Sequence, residues 1–424
     1  MMRILDLSPR AVCPTDNGST YRIYHLLREL ARRHEVRQFS QPLLGQIRRP
    51  GFATDVWPSA SYREHRNPSL IAATAAEWCH RSWFRQAIFS GACLQLTRPR
   101  LLREWFGWAN VALVEFPWQF AYCRRAAPSL PLVLASHNVE ISTRISNGGA
   151  AGVAVQRSPV IRYVRHLEEH AVTRADLILA VSDADREELV RRYGVDGERV
   201  VTVPNGADTD GLFPVTPEAR RMLRARLRLP DRTTVVYLAA GPKVPDVEGL
   251  KWVRRVARRH RDLTFMIVGG VCPAPFVADN VIATGFVDDH RPYLQAADIS
   301  LNPIEYGGGT KLKVFDGLAA GLATVVFAEA VRGTSLKNGE HVLVVEKNEG
   351  ALGRAIRGLV DEPGAASALA RTGRRFVCDR HDWKVIARHL ETALAGLLEH
   401  AHMPTATPNH RLARRAAGET GIRA

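Results

Sequence analysis

The sequence predicts an α/β protein with two doubly wound parallel sheets, one in each half of the chain. Three observations carry that prediction. At 424 residues the chain exceeds one ordinary domain and suits two, each able to bury its own core. Short runs rich in Val, Ile and Leu, apolar at nearly every position, alternate with helical patterns, as strands covered on both faces do. Between residues 204 and 234, Pro, Gly and Asp interrupt the alternation before a new strand begins, which is how a boundary between domains reads.

In the first half the strand-like runs are RILDL, VALVEF, LVLASH, LILAVS and VVTVP. In the second half they are TVVYLAAG, TFMIVGG, NVIATGF, ISLNPI, ATVVFA and HVLVV. The first helix follows Gly18 and Ser19, and its Ile23, Leu26, Leu27 and Leu30 form a regular apolar stripe. Residues 60 to 110 break the plain alternation, with Trp78, Trp83, Phe84, Phe89, Trp105, Phe106 and Trp108 set among Arg and His. Helices packed on the sheet account for them, and so does an amphipathic surface that settles on an anionic membrane. LASHNVE leaves His137 just past a strand, and Asp183 and Asp185 read as the first turn of the helix after LILAVS. With the boundary set near residue 208, the domains run over 1–208 and 209–380. A helix over 381–401 follows, and the Pro-, Ala- and Arg-rich 402–424 reads as a disordered basic tail.

Composition narrows the function classes. Hydrophobic residues are 46% and charged residues 24% of the chain, an ordinary balance for a soluble globular protein. Lys and Arg (58) exceed Asp and Glu (43), giving a net charge of +15 that favours anionic partners such as nucleotide phosphates or acidic lipid headgroups. No DNA- or RNA-reading motif is present, so nucleic acid is not an expected partner. The six cysteines, at 13, 79, 93, 123, 272 and 378, form no CxxC pair and have no His at zinc spacing, which points to a reducing cytosol and no structural metal. The N-terminus lacks the roughly 7 to 15 apolar residues of a signal peptide, and no run approaches the ~18 of a membrane span. A cytoplasmic location is expected.

The most informative stretch is NPIEYGGGTKLKVFDGLAAGLATVV, residues 302 to 326. Strand, then glycines, then helix is the layout in which bare backbone N–H groups and the positive end of a helix dipole converge on an anion. Gly307, Gly308 and Gly309 let the backbone approach a pyrophosphate, and the Thr310 hydroxyl caps the helix or bonds an oxygen. Leu312, Phe315 and Ala319 are spaced to face the sheet, which leaves Lys313 and Asp316 together on another face. Lys313 is placed to neutralise phosphate and Asp316 to accept from ribose hydroxyls; the plain alternative is a solvated ion pair between them. Position favours function, because ligands of open α/β sheets lie outside the carboxyl ends of strands. Gly241 and Lys243 reach the same crevice, as do Gly285, Phe286 and Val287, whose main chain is suited to reading a base edge.

Taken in order, DNGSTYRIYHLLRELARRHEV, SHNVE, RADLILAVSDAD, VPNGADTD, GFVDD and GGGTKLKVFDGLAAGLATVV resemble the GT-B glycosyltransferases of the large retaining group that includes glycogen synthases and bacterial mannosyltransferases, the glycosyl transferases group 1. The resemblance covers roughly residues 1 to 400. It implies two Rossmann-like domains facing across a cleft, with a UDP- or GDP-linked sugar held mainly by the second. It also implies a glycan, lipid-linked or small-molecule acceptor held by the first domain, and a final helix that crosses back. By position, Asp316 takes the place of the second glutamate of the family's E-x7-E motif, which binds ribose, and Gly308 stands where another glutamate is expected. Glu305, three residues early, substitutes for that missing carboxylate in this reading. Lys243 and Lys313 look like the diphosphate-binding basic residues, Val287 like the base-contacting loop, and His137 and Gly18 like first-domain groups that close on the donor. The implied catalytic set is therefore His137, Glu305, Lys243 and Lys313, and the donor-binding set Gly18, Val287, Gly308, Gly309, Thr310 and Asp316.

No metal-binding Asp-x-Asp stands at a strand end, since Asp183 and Asp185 open a helix and Asp208 and Asp210 lie in the linker. Metal-independent chemistry with no cofactor beyond the donor is expected, the leaving diphosphate being stabilised by lysines and a helix N-terminus. Retention and a role in cell-surface glycan or glycolipid synthesis are implied by the resemblance. A nicotinamide enzyme is disfavoured because no strand is followed by G-x-G-x-x-G, and NGGAAG (147 to 152) has the wrong spacing. A sugar-nucleotide epimerase, or a sugar-nucleotide-binding protein without activity, remains compatible with the fold, given Gly308 and Asp316.

Overall fold

The structure is a computed structural model describing residues 1–73, 86–150, 158–307 and 310–402. All eleven predicted runs form strands. In the first half they are β1 (Arg3–Ser8), β5 (Val111–Glu115), β6 (Leu132–Ala135), β7 (Leu177–Ala180) and β8 (Val200–Thr202). In the second they are β9 (Thr234–Leu238), β10 (Thr264–Val268), β12 (Val281–Ala283), β13 (Ile299–Asn302), β14 (Ala323–Phe327) and β15 (Leu343–Val345). Four further strands, β2 (Glu35–Ser40), β3 (Asp55–Ser59), β4 (Tyr62–Arg66) and β11 (Phe276–Ala278), are polar or short, so a search for apolar runs passes over them.

The first sheet has the order β3-β4-β2-β1-β5-β6-β7-β8 and the second β11-β12-β10-β9-β13-β14-β15. Pairing is parallel except at one edge of each sheet, where β3–β4 and β11–β12 are antiparallel. The expectation of wholly parallel sheets is corrected there, because a short hairpin needs no crossover helix. Strand order reverses between β1 and β5 and between β9 and β13, and a doubly wound sheet opens its ligand crevice at such a point, outside the carboxyl ends. The loop after β13 is the glycine stretch singled out above.

Two segments cross between the halves side by side. The outgoing one pairs with the returning one through a parallel bridge between Ala207 and Asp382, and Ala207 N–H donates to the His381 carbonyl at 2.8 Å. Gly206 lies so close to the same carbonyl that a Cβ there would stand 2.4 Å from it. The returning chain enters the helix Trp383–His402, whose Trp383, Ile386, Leu390 and Leu394 pack on the stripe Ile23, Leu26, Leu27 and Leu30 of the helix Gly18–Leu30.

The helix Leu312–Ala319 departs from its expected packing. Phe315 and Ala319 enter the core of the second half, but Leu312 packs against the core of the first. A residue that spacing assigns to its own sheet is thus spent on the junction. Of the aromatic residues between 60 and 110, Trp105 and Phe106 are buried in the first core, while Trp78, Trp83 and Phe84 lie outside the described residues, as does the tail 403–424. Among the described residues no helix is long and apolar enough to cross a membrane.

Candidate active site at the domain junction

The helix Leu312–Ala319 begins where the two halves touch. Gly307 adopts φ +118°, a conformation open to glycine, and turns the chain out of the strand end; Gly308 and Gly309 lie outside the described residues. The Gly307 carbonyl accepts from Lys311 Nζ at 2.9 Å and Arg332 Nη2 at 3.3 Å. Burial pushes the Lys311 ammonium down to about 8. Thr310 is held from across the junction: Asn205 Nδ2 donates to its hydroxyl at 2.9 Å and to its carbonyl at 3.2 Å.

Lys313 and Asp316 do not meet. Lys313 Nζ lies 2.5 Å from Asp246 Oδ1 and 5.2 Å from the centre of the Tyr237 ring. The cause is the neighbouring helix Val244–Arg259, whose first turn carries Asp246 into reach. Lys243 is the N-cap of that helix, and Pro245 lies 3.4 Å from the Cβ position of Gly307. The starts of the two helices therefore lie side by side, an arrangement suited to an anion.

Asp316 is 4% exposed; its Oδ2 is 3.5 Å from His290 Nε2, and its Oδ1 has no hydrogen-bond partner among the described residues. Burial alone would lower the His290 pKa, but hydrogen bonding and charge from Asp316, with Asp289 beside it, carry it above the ordinary histidine value. Tyr21, from the first half, lies edge-on to His290 at 6.1 Å between ring centres. A buried carboxylate oxygen without a donor is costly, and a sugar hydroxyl is a donor of the required kind.

The first half contributes a second helix start. Asn17 caps the helix Gly18–Leu30, its Oδ1 accepting from Ser19 N at 3.0 Å, and a Cβ on Gly18 would stand 3.0 Å from Leu312 Cδ1. His137 lies past β6 with its Nε2 2.5 Å from Glu115 Oε2 and its ring stacked on Phe116, 4.2 Å between centres. Burial pushes His137 down to about 3, so the imidazole is neutral, and pushes Glu115 up to about 7. Phe116 itself has φ 69° and ψ 162°, a strained conformation for a residue with a Cβ and one that concentrates at functional sites.

Of the other expected site residues, Val287 is half-buried against the second core, after Gly285 at φ +67° and the exposed Phe286. Glu305 is engaged at both oxygens, by the Trp252 indole N–H and by Lys347 Nζ at 2.6 Å. Among the described residues no group of three His, Cys, Asp or Glu side chains is arranged to hold a metal ion. A cavity of about 580 Å³ lies at the amino ends of the second sheet's strands, between Arg220 and Arg371, away from all of these residues. Chemistry at the carboxyl ends, where the helix starts and the buried carboxylate converge, is the better-founded site.

Sequence reasoning missed Asn205, Arg22, Tyr21, His290 and Glu115. Glu115 carried a signal, being an acid at the end of an apolar strand; Arg22 and Tyr21 carried none, because a helix full of polar residues does not reveal which of them turns inward.

Residues 16–211 match the family model described as Glycosyltransferase Family 4, and residues 234–362 the model described as Glycosyl transferases group 1. The chain belongs to the group 1 glycosyltransferases with the GT-B fold. This glycosyltransferase family member is 27% identical to D-inositol 3-phosphate glycosyltransferase of Rhodococcus jostii over 264 residues, which is 57% of this chain and 56% of the relative. It is 26% identical to the GDP-mannose-dependent alpha-(1-6)-phosphatidylinositol monomannoside mannosyltransferase of Mycolicibacterium smegmatis, over 53% of this chain and 63% of that one. The matched part thus spans little more than half the length of these curated relatives. Among solved structures, sucrose-phosphate synthase from Thermosynechococcus elongatus superposes with a TM-score of 0.72 at 16% identity, covering 94% of this chain and 100% of that one. An Anabaena protein solved with UDP-glucose gives 0.62 at 13% identity over 93% and 100%. Both likenesses show the fold.

Proposed function

We propose that this glycosyltransferase family member moves a sugar from a UDP- or GDP-linked donor to a hydroxyl acceptor with retention at the anomeric carbon. The observation that carries the proposal is the buried Asp316, with one oxygen lacking a donor among the described residues, on a helix whose approach at Thr310 and first residue Leu312 are held by the first half. In this reading Asp316 accepts from the ribose, the starts of the helices 244–259 and 312–319 hold the diphosphate with Lys243 and Lys313, and Val287 lies beside the base. His137, neutral and set by Glu115, hydrogen-bonds the donor sugar or the incoming hydroxyl. Lys313 reaches the phosphate by exchanging its Asp246 partner, which keeps it close without neutralising the site permanently. The chemical step is positioning plus electrostatics: the diphosphate leaves, the acceptor oxygen bonds the anomeric carbon, and a phosphate oxygen takes the acceptor proton. We assign charge stabilisation to these lysines and backbone amides rather than to a metal. Relatives named for inositol phosphate and phosphatidylinositol mannoside substrates support a phosphorylated or lipid-linked polyol acceptor. Work at the inner face of an anionic membrane suits the exposed Trp57 beside Arg63, and Arg37 over Trp108 at 4.0 Å.

The test is a thermal-shift panel of nucleotide sugars, in which a true donor raises the melting temperature by mass action. Lys313→Ala and Asp316→Asn are each expected to weaken the shift at fixed ligand by about tenfold in affinity, the loss of one strong polar contact. Activity with the responding donor should persist in excess EDTA. A full shift in both variants would discard the site assignment.

A further inference from the structure

The outgoing crossing segment puts one residue, Asn205, in contact with three separate parts of the molecule. The Asn205 carbonyl accepts from His381 Nδ1 at 2.7 Å, on the returning segment. Its side-chain oxygen accepts from Arg22 Nη1 at 3.0 Å, and its side-chain nitrogen donates to Thr310. The orientation of that amide follows from chemistry, because Arg22 only donates and the Thr310 carbonyl only accepts. Arg22 is buried and is itself fixed by the Val203 and Pro204 carbonyls, each at 2.6 Å. With Gly206 wedged against His381 O, the backbone of residue 205 has little room to move.

We infer that Asn205 is a positioning residue for donor binding: oriented by Arg22 and clamped by His381, its amide holds Thr310 and with it the first turn of the helix Leu312–Ala319. This rests on the reading of that turn as the diphosphate site. The start of the helix is then located by the first half and the hinge, not only by its own sheet. Donor binding and the apposition of the two halves become one equilibrium, since parting them breaks the contacts to Thr310. Pre-arranged amides bind an anion without an ordering cost, which is why a residue that touches no substrate changes affinity.

Asn205→Asp isolates the cross-junction contacts. The carboxylate keeps the acceptor for Arg22 and loses the donor to Thr310. Thr310→Val is the uncharged companion, which removes the hydroxyl acceptor and carries no charge to repel phosphate. Both are compared with wild type by amide hydrogen exchange over residues 310–316 without ligand, and by calorimetric titration with UDP and GDP. Faster exchange in both variants is expected, with the dissociation constant of the better nucleotide raised about tenfold in Asn205→Asp and less in Thr310→Val, at unchanged melting temperature. Wild-type protection over 310–316 in both variants would overturn the inference, whatever the nucleotides do. Faster exchange in variants of a wild type that binds neither nucleotide would support the positioning role and overturn the donor reading instead.

Discussion

Glu115 closes β5 with Asp6 on one side and His137 on the other, and its burial raises it from an ordinary carboxyl value of 4.5 to about 7. Burial likewise raises Asp6, reinforced by Glu115, so near neutral pH the pair prefers to keep a proton. A carboxyl whose folded pKa is raised contributes stability that is fully present below the unfolded pKa and lost as pH rises through the folded one. Glu115→Gln, which stays neutral at every pH, should therefore gain in melting temperature relative to wild type as pH increases from about 4.5 to about 7. Melting curves of both proteins across that window check it; a difference that does not grow with pH contradicts the assignment of Glu115. His137 acts with the opposite sign, since a histidine depressed to about 3 is charged in the unfolded chain first, and stability falls as pH drops below the ordinary value of 6.5.

At the scale of elements, the strands were legible and the site only partly so. Runs such as LILAVS and ATVVFA announce themselves because both faces are covered, whereas β4 reads YREHR and hides its inward face in Tyr62, Glu64 and Arg66. Glu64 earns its burial by accepting from Val12 N at 2.7 Å and pairing with Arg66 at 3.2 Å, contacts that no local pattern announces. The glycine turn before residue 310 could be read from strand-loop-helix order, yet its neighbours could not. Asn205 is 105 residues from Thr310 and 183 from Arg22, and spacing carries information only within an element. The partner of Lys313 was hidden for the same reason, since Asp246 arrives on a different helix. The crossing segments give a sharper expectation. Gly206→Ala puts a methyl group 2.4 Å from a carbonyl oxygen that is itself hydrogen-bonded, so the strands of the crossing must separate. A loss of about 2 kcal/mol in stability is expected from urea unfolding at constant m-value, and a change below the error of the fit would show that the crossing is loose.

For the whole molecule the final helix is the decisive addition. Trp383 is among the largest fully buried side chains, seated between the Tyr21 and His25 rings and the apolar stripe of the first helix. Trp383→Ala removes that anchor and should cost about 3 to 5 kcal/mol, measurable as a lower urea midpoint. Because the first helix also carries Arg22 and starts at Gly18, a loosened anchor should weaken nucleotide binding as well, although residue 383 lies on a different chain segment from every proposed donor contact.

The bridge between Ala207 and Asp382 places the beginning and the end of the second half beside each other. Topologically that half is an insert spliced into the first at a single point, so it can be exchanged for another of the same outline without rethreading the remainder. The two family matches, over residues 16–211 and 234–362, divide near the same place.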